Sequence, residues 1–330
     1  MKERYLDRIQ SVENSCYEVL DRLGPAVVDY NESEVTGYSG AVFATERFYP
    51  SDLEEAVVKR GLGDFVSVRY IVEGSPADEG GLLLGDRLVR INGVKVPKGE
   101  RASSFVVEKL RKLWLVDDSN LLVVERNGEE LTLEIDANRS VSYSVVVTPF
   151  IRESAYAEGK AIYFPLEDME SLEEQEFDYV CAYALVQNVM KHARMKGQNE
   201  FIGSVLDLAA AVSGVHTGGI FSNMGRNAHK AGFQIESDIL ALYALANAGV
   251  DISGYPDFWE KKLSEGGKGL DRVSQERLDA MRQVVAEIEE KRLNGEPIYP
   301  TEYLAGEWER KDPLEVPETE DLTIGEAISN

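Results

Sequence analysis

Residues 74–93 read GSPADEGGLLLGDRLVRING, and this stretch decides the fold of the first half of the chain. Ser75-Pro76-Ala77 is typical of the start of a short helix, because proline fits the first helical turn. Gly80-Gly81 and Gly85-Asp86 predict tight turns, since glycine adopts the left-handed backbone that such turns need. Asn92-Gly93 predicts a hairpin. The stretch therefore predicts a compact unit of one short helix and closely spaced strands.

The same stretch resembles the signature of PDZ domains, especially the bacterial type attached to proteases. PDZ domains add a peptide as an extra strand between a sheet edge and a helix, and loop amides hold the terminal carboxylate. The resemblance implies that the partners of this chain are polypeptide C-termini or extended peptides.

Two glycine-containing loops compete for the role of carboxylate loop. Gly61-Leu62-Gly63-Asp64 runs directly into the strand 65–72, which is one strand too late for that role. Gly37-Tyr38-Ser39-Gly40, followed by the strand-like 41–45, fits the position better, although ordinary turn glycines account for it equally well. The predicted helix 102–114 forms the opposite wall. The candidate peptide-binding residues are Gly37, Tyr38, Ser39, Gly40, Val42, Phe43, Phe105, Val106 and Lys109.

Working outward, the hydrophobic period changes along the chain. Spacings of three and four predict an amphipathic helix over 3–23, and alternation from about 36 to 148 predicts short strands, with Asn127-Gly128 as a hairpin turn. Past Pro149 the pattern predicts long helices, at about 171–196, 200–213, 234–248 and 272–293. The expected fold class is α+β: a PDZ β-sandwich or barrel-like domain and a mainly α domain.

Composition limits the function classes. The 330 residues are 43% apolar and carry a net charge of -24, which disfavours nucleic acid and anionic lipid as partners. No stretch is long and apolar enough to predict a membrane span. Cys16 and Cys181 are expected to be buried free thiols, and a disulfide is the alternative. The compartment stays open: periplasmic or cell-envelope if an export signal was removed, otherwise cytoplasmic.

Residues 154–195, SAYAEGKAIYFPLEDMESLEEQEFDYVCAYALVQNVMKHARM, resemble the core of the family-48 zinc metallopeptidases, the HtpX and CAAX prenyl protease type. That family carries an edge strand, here Lys160 to Phe164, and then a helix with the pattern A-H-E-x-x-H-x-x-x-x-H. The resemblance implies a zincin-like domain with a small edge sheet.

The resemblance also implies that the metal chemistry is lost. With His192 as the trailing histidine, the first zinc histidine falls on Tyr183, the catalytic glutamate on Ala184 and the second histidine on Gln187. The third ligand, a glutamate in the pattern E-x-x-A-D, falls on Gln234, because Glu236 occupies an intervening position of that helix. We expect no cofactor, and zinc in particular to be absent.

These patterns divide the chain into an N-terminal helix that packs on the peptidase-like domain (1–35), a PDZ domain (36–148), an inactive metallopeptidase-like domain (149–300) and an acidic tail (301–330). The expected function is that of a catalytically inactive scaffold or regulator that binds polypeptides, among them an active peptidase relative or a second copy of the chain. One alternative is an active zinc metalloendopeptidase with an unconventional site, which would need all three of His192, His216 and His229, or two of them and a carboxylate such as Asp238 or Glu236. Another is a structural component whose groove is closed by residues 24–33 or by the tail.

Overall fold

The computed structural model describes residues 2–150, 155–191, 226–265, 270 and 272–304, and for residues 226–231, 272, 273 and 302 it describes the backbone alone. The first element is helix α1 (Lys2–Leu23), as predicted from the three-and-four spacing. Its buried stripe includes Leu6, Ile9, Cys16 and Leu20. The predicted helix at 200–213, His192, His216 and the tail beyond residue 304 lie outside the described residues.

The larger sheet has seven strands. They are β1 (Thr36–Tyr38), β2 (Ala41–Ala44), β3 (Ser67–Ile71), β4 (Arg87–Ile91), β5 (Val94–Lys95), β6 (Asp118–Arg126) and β7 (Glu129–Ser140). The main path runs β1-β7-β6-β4-β3-β2, with β5 paired to β4, and each pairing is antiparallel. Asn127 and Gly128 join β6 to β7 with φ angles of 55° and 84°, which confirms the predicted hairpin turn.

Two short helices pack on this sheet, α3 (Pro76–Glu79) and α4 (Glu100–Glu108), whereas α2 (Glu54–Lys59) packs on α1. A 3₁₀ turn, Leu110–Leu113, follows α4 where one helix over 102–114 was predicted. Phe43, Leu88, Ile91, Leu122 and Ile135 are among the residues of a separate apolar core between the sheet and helices α3 and α4. Strand β2 alternates across the sheet, so Phe43 enters this core while Val42 and Ala44 pack on the other side.

The smaller sheet consists of β8 (Ser144–Thr148), β9 (Tyr156–Ala157) and β10 (Ala161–Pro165) in the order β8-β10-β9. Strand β10 pairs in parallel with β8 and antiparallel with β9, so it lies in the middle of the sheet. The prediction of an edge strand at residues 160–164 is therefore wrong. Residues 144–148, which alternate like the preceding strands, pair here and not with the larger sheet.

The remaining helices pack around the smaller sheet. They are α5 (Leu166–Glu170), α6 (Glu174–Val189), α7 (Arg226–Asn247), α8 (Tyr255–Ser264), α9 (Arg272–Asn294) and α10 (Thr301–Leu304). The predicted single helix 171–196 is wrong at both ends, because Ser171 caps α5 and Lys191, at φ 56°, follows the C-cap Met190 of α6. Within the ranges given above, no helix is both long enough and apolar enough to cross a bilayer.

Helix α1 lies between the two sheets and shares one apolar core with β8, β10, α6 and α7. On its other side, Arg69 of β3 donates a hydrogen bond to Asn14 over 2.7 Å and lies 3.7 Å from Glu13. Tyr49 donates to Glu13 over 2.9 Å. Cys16 and Cys181 are buried free thiols in the shared core. The described elements thus form two sheet-based units joined through one helix.

Candidate functional site

The candidate peptide site lies where residues 37–40 lead into β2. Gly37 and Tyr38, which were predicted as part of a loop, belong to β1 and pair with Arg139 and Asn138 of β7, so the turn between the strands is Ser39-Gly40. Strand β2 terminates the path of the larger sheet, because its described pairing is with β3 alone, and α4 packs beside it. The competing candidate loop, residues 61–64, lies at the other end of β2, since the Gly63 carbonyl accepts a hydrogen bond from the Glu46 amide over 2.9 Å. The arrangement of loop, edge strand and helix is the one that adds a peptide strand in β-augmentation.

A cavity of about 60 Å³ opens at the junction of this loop, β2 and the C-terminal end of α4. A volume of this order holds more than one water molecule, and both apolar and polar side chains enclose it. Its lining consists of Tyr17, Gly37, Tyr38, Ser39, Ala41, Val42, Phe43, Val106, Leu110, Arg111, Trp114, Ser142, Tyr143 and Ser144. We call this cavity the loop pocket.

Most of the predicted peptide-binding residues meet at the loop pocket. Gly37, Tyr38, Ser39, Val42, Phe43 and Val106 line it. The other three do not: Gly40 follows the lining part of the loop, Phe105 is buried in the core of the larger sheet, and Lys109 is exposed at the end of α4.

Steric contacts explain why residues 37 and 40 of the loop are glycines. A Cβ at Gly37 would lie 2.4 Å from the Leu115 carbonyl oxygen, and Gly40 adopts φ 82° against Ser75. Both positions therefore exclude other residues on steric grounds alone. The carbonyls of Ser39 and Gly40 accept from Ala77 and Val72 over 2.8 and 3.0 Å, so the loop is held firmly against the PDZ-like motif.

The rest of the loop pocket is lined by residues outside the predicted peptide-binding set. Tyr17 belongs to α1, and its hydroxyl accepts a hydrogen bond from the Val145 amide over 2.9 Å. Burial raises the pKa of Tyr17 to about 12, although Arg69 opposes the shift. Leu110 and Trp114 continue the apolar stripe of the predicted helix and were accessible to sequence reasoning, whereas Tyr17 and Ser142 had no local signal.

Arg111 supplies a positive charge to the loop pocket. One terminal nitrogen donates to Glu34 over 2.8 Å, and its guanidinium lies 4.9 Å from the Tyr143 ring centroid. The other terminal nitrogen, Nη1, is buried and has no hydrogen-bond partner in the described part of the chain. Lys191 lies 3.4 Å from Glu34. A buried donor of this kind suits an anionic ligand group.

At the other end of β2, the space between strand and helix is closed. Thr45 Oγ1 and Ser103 Oγ lie 2.6 Å apart and form a hydrogen bond in which either hydroxyl donates. Thr45 is only 1% exposed. The loop pocket accordingly ends at Phe43 and Val106.

A second cluster unites the positions predicted for the lost metal site. The side chains of Gln187 and Gln234 lie beside the hydroxyl of Tyr183, which is buried between α6 and α8. Burial raises the pKa of Tyr183 to about 12, and Arg277 together with the two neighbouring amides opposes the shift. Ala184 is fully buried beside them. Helices α6 and α7 thus bring residues 183, 187 and 234 together.

Arg277 of α9 supplies the charge of this cluster. Its guanidinium lies 5.2 Å from the Tyr183 ring centroid and 4.7 Å from that of Trp259, and it pairs with Asp238 through two hydrogen bonds. Tyr255 donates to the same carboxylate over 3.0 Å. Burial opposes a charge on Arg277, but Asp238 outweighs that effect and raises the pKa of the guanidinium.

The donor set of this cluster does not suit zinc. It consists of a neutral tyrosine, two amides and an alanine, whereas zinc prefers imidazoles, thiolates and carboxylates, and a guanidinium lies nearby. Among the described residues, no group of three or more His, Cys, Asp or Glu side chains is arranged to hold a metal ion. The backbone of His229 lies in α7, but its side chain is not described.

Comparison with known proteins identifies the first unit. Residues 67–106 match the family described as PDZ domain. Among solved structures, the HtrA-type protease AlgW with decapeptide is similar at 24% identity over 32% of this chain and 30% of that chain, with a TM-score of 0.23. The HtrA3 PDZ domain bound to a phage-derived ligand (FGRWV) is similar at 21% identity over 31% of this chain and 86% of that chain, with a TM-score of 0.22.

The serine endoprotease from Yersinia pestis matches at 17% identity over 32% of this chain and 30% of its own, with a TM-score of 0.21. This chain therefore spans less than a third of the AlgW and Yersinia pestis proteins that it matches. The matches concern the PDZ type of unit and give no support for a zinc metallopeptidase. The chain contains a PDZ domain.

Proposed function

We propose that this protein binds polypeptides at the loop pocket of its PDZ domain and acts as a scaffold or regulator without catalytic activity. The observation that carries the proposal is the meeting of the loop 37–40, the terminal strand β2 and helix α4 at one cavity. A cavity that is lined in part by apolar side chains and lies next to a free strand edge is suited to a side chain of a peptide whose backbone pairs with that edge.

The ligand group expected at the loop is a free C-terminal carboxylate. Gly37, Tyr38 and Ser39 line the pocket, and Arg111 adds a buried donor nitrogen that has no hydrogen-bond partner among the described residues. The pocket beyond is small and is lined by Phe43, Val106 and Leu110, among others, which favours a small or medium apolar side chain at the last position of the ligand.

The second part of the proposal is that residues 149–300 are an inactive zincin-like scaffold. The support is that the side chains of Tyr183, Gln187 and Gln234 lie close together. An alignment of these residues with the zinc ligands of family-48 metallopeptidases requires that proximity. Their chemistry is unsuited to zinc, so no zinc is expected. The partners proposed for this scaffold are an active peptidase relative or a second copy of the chain.

Peptide binding is tested on the full chain with a library of peptides that carry free C-termini. Ala41, which is half-buried at the pocket on β2, is changed to glutamate so that its carboxylate repels the terminal carboxylate of the ligand. The matched control is Val94→Glu, because Val94 is 41% exposed on β5 and does not line the pocket. Selection by the wild type and Val94→Glu, but not by Ala41→Glu, is expected. No selection by a folded wild type overturns the proposal.

The alternative of an active zinc metalloendopeptidase is tested separately. The chain is purified without chelator, its metal content is measured, and casein digestion is followed for the wild type and His192→Ala. We expect neither zinc nor digestion. Stoichiometric zinc together with digestion, both lost in His192→Ala, would establish the alternative.

A further inference from the structure

The peptide groove is closed at one end by a contact within the PDZ domain itself. Thr45 directly follows β2, and Ser103 lies on the first turns of α4, so their hydrogen bond of 2.6 Å joins the two walls between which a peptide would lie. Each hydroxyl oxygen is two bonds from its Cα, so the two Cα atoms lie at most roughly 7.5 Å apart.

This separation is too small for an added strand. A strand paired with β2 lies about 4.8 Å from it and needs further space for its own side chains before the helix begins. Thr45 is 1% exposed, and neither Thr45 nor Ser103 lines the loop pocket. The space for a ligand therefore ends at Phe43 and Val106, within the first three residues of β2.

The first turn of α4, which carries Ser103, buries one small side chain, Ala102, in the core of the larger sheet. Helix α4 has nine residues, its N-cap is Gly99 at φ 67°, and no side chain caps it. The nearby ion pair between Arg47 and Glu100 spans 3.9 Å between exposed side chains and contributes little. By contrast, the other end of α4 buries the larger side chains of Phe105 and Val106 in the same core.

We propose that the Thr45–Ser103 hydrogen bond is a latch on the peptide groove. With the latch closed, the site accepts the last one or two residues of a polypeptide at the loop pocket. A longer ligand pairs with β2 only after the latch opens and the N-terminal end of α4 moves away. This inference rests on the peptide binding proposed above and adds a length selectivity that is controlled by two hydroxyl groups.

The test compares ligands of two lengths. C-terminal libraries are selected on the full-length wild type and on Ser103→Ala, and an enriched sequence is synthesised as a hexapeptide and as its terminal dipeptide. Removal of the latch removes a hydrogen bond that the hexapeptide must otherwise break, so its affinity is expected to rise roughly 2- to 10-fold. The affinity of the dipeptide is expected to stay the same.

Matched variants separate the latch from general effects on α4. Thr45→Val is expected to act like Ser103→Ala, and Thr45→Ser, which keeps the hydroxyl, like the wild type. Ser104→Ala is the control on the same helix, because Ser104 is exposed and donates to the Arg101 carbonyl of its own turn. Thermal unfolding of each variant checks that the fold is retained.

The two proposals fail in different ways. If neither the wild type nor Ser103→Ala selects a peptide, the proposed function is overturned and the latch with it. If both bind, but the ratio of hexapeptide to dipeptide affinity is the same in wild type, Ser103→Ala and Thr45→Val, peptide binding stands and the latch is overturned.

Discussion

Arg111 of the PDZ domain donates a hydrogen bond over 2.8 Å to Glu34, a residue of the segment that connects α1 to the first strand. Tyr143 donates to the same carboxylate over 2.9 Å, and Lys191, which follows α6, lies 3.4 Å away. Since Arg111 and Tyr143 also line the loop pocket, the contact between the two units forms one wall of the candidate binding site.

The first prediction concerns Arg111→Gln. The Glu34 carboxylate, which is 11% exposed, would lose its main charged partner, and the free energy of unfolding should fall by about 1–3 kcal/mol. Urea unfolding measures this loss. Arg90→Gln is the control, because Arg90 and Glu130 are 44% and 58% exposed at 3.7 Å and such a pair contributes less than about 1 kcal/mol. Equal losses in both variants would contradict a special role of Arg111.

The pairing also predicts a pH dependence. Burial alone would raise the pKa of Glu34, but Arg111, Tyr143 and Lys191 lower it overall. A carboxyl with a lowered pKa in the folded state stabilises the fold fully above its ordinary pKa, and the stabilisation is lost as the pH falls through the folded value. The difference in unfolding free energy between wild type and Arg111→Gln should therefore shrink from about pH 7 to about pH 3. A difference that is constant over this range would contradict the assignment.

Local rules predicted the elements of this chain but not how distant elements meet. Asn127-Gly128 predicted its hairpin because a type I′ turn needs two residues with positive φ, and both have it. Strand β8 alternates like its predecessors, yet it pairs with β10, because alternation identifies a strand and not its partner.

The candidate site likewise combines a feature that a local rule predicts with contacts between residues that are distant in sequence. The loop 37–40 followed from its position before β2, whereas Thr45–Ser103 and Glu34–Arg111 join residues 58 and 77 positions apart. Such pairs leave no periodic signal in a single sequence. Tyr183, Gln187 and Gln234 were grouped by the resemblance to a family pattern and not by periodicity, and their side chains lie close together.

A third prediction concerns the buried pair of Asp238 and Arg277, whose side chains are 1% and 5% exposed. Removal of one partner leaves an uncompensated buried charge, so Arg277→Met and Asp238→Asn should each lower the unfolding free energy by about 3–5 kcal/mol. The double variant should lose less than the sum of the two single losses. Denaturant unfolding of all four proteins measures the coupling. Arg282→Met, in an exposed pair with Glu260, is the control and should change the unfolding free energy by less than about 1 kcal/mol.

The last prediction tests the zincin-like register directly. If residues 183, 187 and 234 occupy the positions of zinc ligands, the combination Tyr183→His, Gln187→His and Gln234→Glu places two imidazoles and one carboxylate around one point. Such a set is expected to bind about one zinc ion per chain. Metal analysis after dialysis, with circular dichroism to confirm the fold, measures the outcome.

The control for this experiment is the variant with the two histidines but with Gln234 retained. Glu236 is present in both proteins, so zinc binding that requires Gln234→Glu shows that position 234, and not 236, faces the other two ligands. A folded three-residue variant that binds no zinc would overturn the alignment, although Arg277 is expected to weaken the affinity because its positive charge lies 5.2 Å from the ring at position 183. Replacement of Arg277 by methionine in the same background should then strengthen zinc binding, since it removes that repulsion.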